Sequence, residues 1–257
     1  MKGKLILILI LIIIVGMIIV LFSTHEVKDY GIFKITYSKE AQRYEKEISN
    51  AANKWSEYID NDEDIKIKVS LVNAEKNTVA YANSDVKKNK VVGGNIFIAY
   101  KNLPYFFNSR VNVIMHEIGH VLGIGTHPKW KVENYELQTE KLQKTLKSFN
   151  ELQSKLGCKS NFNKIPLETK SGPGSAKSHW DTSDRTNYEG SNDKCRGLKN
   201  EVMRYKMDGG KYYISELTTA YLDDLGFKIK KFDEYDNNRN YFDDYFMTKE
   251  FICGTCM

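Results

Sequence analysis

Three of the chain's five histidines surround one glutamate in Met115-His116-Glu117-Ile118-Gly119-His120-Val121-Leu122-Gly123-Ile124-Gly125-Thr126-His127. Two histidines four apart on a helix project from the same face, so the imidazoles of His116 and His120 can reach one metal ion. Zinc suits them. It takes neutral imidazole nitrogens at roughly 2.0–2.1 Å, and three protein ligands plus a water make a catalytic site. Glu117, beside the first ligand, is placed to take a proton from that water as it attacks a carbonyl. Gly123, three residues after His120, can adopt positive φ, stop the helix and turn the chain away.

The elements that must position these groups can be read around them. Val111, Ile114, Met115, Ile118, Val121 and Leu122 give the histidine helix an apolar stripe, and Asn108 or Ser109 offers an N-cap. Upstream, Gly31 to Tyr37 alternates like a strand, and Lys39 to Tyr58 follows as an amphipathic helix. Ile65 to Val72 is a second strand; Thr78 to Asn83 and Asn95 to Tyr100 are two more, separated by a charged turn and Gly93-Gly94. Asn95 to Tyr100 reads as an edge strand whose free side could pair with an extended substrate. Downstream, Glu133 to Leu156 reads as an inserted helix with Leu142, Leu146, Phe149, Leu152 and Leu156 on one side. The Gly/Pro/Ser-rich stretch from Ile165 to Trp180 is a loop that delivers His179. Ser215 caps a last helix, Glu216 to Leu225, closed by Gly226.

Length and composition bound the reading. At 257 residues the chain suits one catalytic domain in two lobes, and its net charge of +5 is a mild excess on a mixed-charge surface. No basic block with interleaved aromatics points to nucleic acid. Leu5 to Phe22 is an apolar run broken only by Gly16, about 27 Å long as a helix, which predicts a transmembrane signal anchor. Lys2 and Lys4 before it keep the N-terminus cytoplasmic and put the catalytic part on the extracytoplasmic side, or secreted if the segment is cleaved. Cys158, Cys195, Cys253 and Cys256 are an even set suited to an oxidising compartment. Cys253-Gly254-Thr255-Cys256 reads as a local disulfide or two free thiols before a redox motif.

The motifs together resemble the leishmanolysin-like branch of the metzincin metallopeptidases. Most metzincins place their third histidine three residues after the glycine, where this chain has Thr126; His127 stands one residue late. In the leishmanolysin-like branch a long insertion intervenes, and the histidine arrives in a Gly-Pro-Gly-x-x-x-x-His-Trp segment. Gly172-Pro173-Gly174 and His179-Trp180 match that pattern, so the resemblance implies His179 as third ligand and leaves His127 as the alternative. Asn200-Glu201-Val202-Met203 resembles the Met-turn, with Met203 a hydrophobic floor under the metal. Tyr205 stands where some metzincins carry a tyrosine able to reach the metal or the oxyanion. Two features depart from the family pattern: every cysteine lies downstream of the histidine helix, which removes an N-terminal cysteine latch, and Asp181 to Lys199 is long and polar for a segment preceding a Met-turn.

These observations predict an α+β, metzincin-like zincin: a mixed twisted sheet with backing and active-site helices plus a loop-rich C-terminal lobe. The expected divisions are an anchor at 1–24, a lobe with the zinc-binding helix at 25–125, a lobe with the inserted helix, third-ligand loop and Met-turn at 126–230, and an acidic, aromatic tail at 231–257. The expected function is a zinc metalloendopeptidase with one catalytic zinc ion (Zn2+), acting on a peptide or protein substrate. An inactive binding module of the same fold, or a zinc hydrolase of a non-peptide amide, is the alternative.

Overall fold

The computed structural model describes residues 26–74, 78–103, 109–155, 161–169, 172, 175–181, 201–205 and 212–230. The apolar run, all four cysteines, His25 and the tail from 231 lie outside the described residues.

The first lobe is a mixed five-stranded sheet built from β1 (Val27–Tyr30), β2 (Phe33–Tyr37), β4 (Ile65–Val72), β5 (Ala80–Lys87) and β6 (Lys90–Ala99), in the order β1-β2-β4-β6-β5. β2, β4 and β6 run parallel, while β1 and β5 pair antiparallel at the two edges. Side chains alternate across a strand, so Phe33, Ile35, Ile65, Ile67, Val69, Ile96 and Ile98 share one buried face. Lys66 and Lys68 point the other way, to solvent. A short 3-10 turn (Ala41–Tyr44) leads into α1 (Glu45–Ser56), whose Ile48, Ala51, Ala52 and Trp55 are buried. Burying a side chain as large as Ile48 or Phe33 contributes roughly 1.5–3 kcal/mol relative to leaving it exposed. Beside α1 lies α2 (Arg110–Val121), the histidine helix, and Trp55 Nε1 donates to the Met115 carbonyl at 2.8 Å.

The second lobe follows. β7 (Val132–Glu133), β8 (Glu136–Leu137) and β9 (Ile165–Pro166) form a small antiparallel sheet, and α3 (Gln143–Lys155) lies between β8 and β9 in the chain. α4 (Glu216–Leu225) starts at Ser215, whose hydroxyl accepts from Thr218 N, and ends at Gly226 with φ 100°. Asp224 of α4 caps α3, its carboxylate accepting from Lys144 N at 3.3 Å and Thr145 N at 2.8 Å. The chain then returns to the first lobe, where β10 (Lys228–Ile229) pairs with β3 (Ile59–Asp60).

Three expectations need correction. Asn95–Tyr100 is not an edge: all but its last residue lies in β6, between β4 and β5, and among the described residues the edge strand on that side of the sheet is β5. Gly93 and Gly94 do not separate two strands. They sit inside β6, where a Cβ on either would fall 2.0–2.1 Å from a carbonyl oxygen of the neighbouring strand. The turn is instead Lys88–Asn89, both at positive φ, as a two-residue hairpin demands. Finally, the stretch from Glu133 is not helical until Gln143. A second positive-φ pair, Asn134–Tyr135, folds it into the β7–β8 hairpin first. The apolar side of α3 is core as expected, with Leu142, Phe149 and Leu152 buried and Leu146 partly so; Leu156 lies outside the described residues.

Candidate metal centre

α2 carries two of the histidines and ends in the turn the glycine allows. Gly123, at φ 108°, donates to the His120 carbonyl at 3.0 Å, and Ile124 N reaches back to the Gly119 carbonyl at 3.1 Å. This crossed pair satisfies helix-end carbonyls that would otherwise be orphaned. It also turns the Ile124 carbonyl toward the helix, 2.7 Å from His120 Nδ1. The turn that stops the helix therefore orients the histidine before it.

The other two imidazoles are held the same way. His116 Nδ1 is 2.8 Å from the Val202 carbonyl, and His179 Nδ1 is 2.7 Å from the Ser175 carbonyl. A carbonyl can only accept, so each Nδ1 carries the proton and each Nε2 presents a bare lone pair. The three Nε2 atoms converge at 3.0, 3.0 and 3.2 Å from one another. Three bare nitrogens so close repel unless a cation stands among them. Nitrogens sharing one ion tetrahedrally at roughly 2.0–2.1 Å lie about 3.3 Å apart, so the set fits a metal ion. His116, His120 and His179 can hold one metal ion between them.

All three are buried. Burial pushes the His116 and His120 pKa values down and that of His179 to about 3, with neighbouring imidazoles adding to the effect at His116 and His179. Neutral rings are the state a metal requires. Glu117 is 4 % exposed, and its Oε2 is buried without a hydrogen bond among the described residues. Burial raises its pKa to about 8. An unpartnered buried carboxyl beside a cluster of metal-ligand type is what a proton-transfer site needs.

Met203 is fully buried. A Cβ on Gly119 would stand 2.2 Å from its sulfur, so the methionine packs against the helix between the two histidines. Behind His179, Trp180 forms an aromatic cluster with Trp130 and Tyr221, at ring-centroid distances of 4.8 and 6.1 Å. Tyr221 donates to the Gly123 carbonyl at 3.3 Å.

The second histidine that the sequence offered lies elsewhere. His127 Nδ1 accepts from Lys129 N at 3.0 Å, and its Nε2 faces the Asn89 carbonyl at 3.3 Å. Both ring nitrogens are thus committed, tying the β5–β6 turn to the end of the glycine turn. Tyr205 is exposed just beyond the Met-turn, with no hydrogen bond among the described residues. Gly119 and Ser175 were not foreseen as part of the site, and Glu201 and Val202 were read only as part of the Met-turn segment, without the contacts they make. Gly119 alone left a signal, since a glycine inside a helix costs roughly 1 kcal/mol and calls for a packing reason.

No curated protein matches the chain. Residues 58–237, well over half of its length, match the peptidase family described as Leishmanolysin, and this span begins just after α1, runs past the last helix and includes the three converging histidines. The α+β architecture agrees with that match, and the chain belongs to the leishmanolysin family of metallopeptidases.

Proposed function

We propose that this chain is a zinc endopeptidase in which His116, His120 and His179 hold one zinc ion and Glu117 is the general base. The convergence of three bare Nε2 atoms at 3.0–3.2 Å carries the reading. The family's zinc dependence supports the choice of metal. Zinc supplies a Lewis acid that polarises the scissile carbonyl and lowers the pKa of a water. Glu117 takes the proton of the attacking water and passes it to the leaving amine. Burial raises the pKa of that carboxyl, and a cation held by the neighbouring imidazoles would favour its ionised form, which accepts the proton. Met203 closes the floor and keeps water out beneath the imidazoles, and Tyr205 is the side chain proposed to reach the oxyanion.

A peptide lies extended between the lobes at 25–125 and 126–230. The edge of β5 supports this, because its outer side pairs with no strand among the described residues and antiparallel pairing would fix the substrate backbone. The apolar run at 5–22 is proposed to anchor the chain, with both lobes on the extracytoplasmic side. Among the described residues no helix is long and apolar enough to cross a membrane.

Glu117→Gln tests the mechanism. Zinc content should stay at one per chain while peptide turnover falls about 10²–10⁴-fold, the size of a general-base contribution. Turnover near the wild-type rate would remove Glu117 from the role. In the same assay Tyr205→Phe should lower kcat with zinc content unchanged. Wild type that binds zinc but cleaves no peptide in a library would favour a binding module or a hydrolase of other amides.

A further inference from the structure

We infer that Glu201 is the positioning residue of the metal centre, a single buried carboxylate that sets the orientation of both His116 and His179. This rests on the metal-binding reading above. Glu201 is 2 % exposed. Its Oε1 accepts from Thr218 Oγ1 at 2.8 Å and Met203 N at 3.4 Å, and its Oε2 accepts from Ser215 N at 3.1 Å. Ser215 is the N-cap of α4, so the carboxylate lies at the positive end of that helix, where an anion is favoured.

Two routes leave this carboxylate. The first runs through its own backbone. Oε1 pins Met203 N and Oε2 pins the start of α4, and the Val202 peptide between residues 201 and 203 donates to the Tyr213 carbonyl at 2.9 Å. The Val202 carbonyl is thereby fixed at His116 Nδ1. The second runs through Thr218. Its hydroxyl proton goes to Glu201, which leaves its lone pairs for Trp180 Nε1 at 2.9 Å. Trp180 N also donates to the Met203 carbonyl at 3.2 Å. Trp180 follows His179 directly, so the third histidine hangs on the same carboxylate through one relay. His120 does not take part: its Nδ1 partner is the Ile124 carbonyl of the helix-end turn.

This asymmetry makes the inference testable in the full chain. The variants are Glu201→Gln, which keeps the volume but sets an amide N–H in place of an acceptor oxygen among Met203 N, Thr218 Oγ1 and Ser215 N, and Thr218→Val, which cuts only the relay to Trp180. Zinc affinity is measured by chelator competition, zinc-free melting temperature by calorimetry, and the three histidine Nδ1–H signals by 1H–15N NMR. Glu201→Gln should weaken zinc binding about 10–100-fold, as loss of an orienting partner does, and Thr218→Val by less. In the zinc-free chain Glu201→Gln should broaden or shift the Nδ1–H signals of His116 and His179 and spare that of His120. Thr218→Val should disturb that of His179 alone. A zinc Kd within twofold of wild type in both variants, with only the melting temperature lowered, would overturn the inference. So would equal disturbance of all three signals. If Glu201→Gln does not fold, Thr218→Val decides alone. Wild type that binds no zinc would defeat the functional reading, while the zinc-free NMR pattern would still report on Glu201.

Discussion

Met203 and Gly119 touch beneath the histidine pair: a methyl group on Gly119 would fall 2.2 Å from the methionine sulfur and 3.0 Å from its terminal carbon. The helix residue just before the second histidine is small because Met203 fills the space a side chain would take. The first prediction follows from this contact. Alanine is worth about 1 kcal/mol more than glycine inside a helix, yet forcing a methyl into a packed site costs about 1–3 kcal/mol. Gly119→Ala is therefore expected to lower the melting temperature, and the double variant Gly119→Ala with Met203→Ala to show a favourable coupling in a double-mutant cycle. A Gly119→Ala chain more stable than wild type would contradict the contact.

The buried carboxyl of Glu201 predicts a pH dependence. Burial raises its pKa from the ordinary 4.5 to about 7, although hydrogen bonds from Ser215, Thr218 and Met203 pull the other way. Between those values the folded chain holds a proton that the unfolded chain has lost. The contribution of this group to stability is thus fully present below about pH 4.5 and is lost as pH rises through about 7. Comparing zinc-free wild type with zinc-free Glu201→Gln isolates it. The stability advantage of wild type should shrink by a few kcal/mol between pH 5 and 8, on the order of 1.4 kcal/mol per pKa unit. An advantage that is constant or grows with pH would contradict the raised pKa.

The parts legible in the sequence are those whose physics is local. Two histidines four apart, a glycine three residues on and a serine before Glu216 each act within one helical turn, and α2 and α4 lie where those signals put them. Alternation likewise placed β2 and β4, because one sheet face is buried and the other wet. Gly93-Gly94 misled because a glycine pair has the same composition in a turn as in a strand squeezed by both neighbours; only the pairing of β6 with β4 and β5 tells them apart. The hairpin before α3 was missed because tyrosine at positive φ, as at Tyr135, is an uncommon turn residue. Nor could the chain reveal Glu201, since a glutamate in a polar stretch looks the same whether it faces solvent or three buried donors.

The proposed third ligand separates proximity in sequence from proximity in space. His127 follows His120 by seven residues yet spends both ring nitrogens on Lys129 and Asn89. His179 lies 59 residues from His120 and stands 3.2 Å from it. The measurement that tests the account most directly is zinc stoichiometry of the purified full chain as wild type, His179→Ala and His127→Ala. The expected result is one zinc per wild-type chain, loss of bound zinc in His179→Ala and full retention in His127→Ala. Zinc lost from His127→Ala and kept by His179→Ala would contradict it and place the third ligand beside the helix.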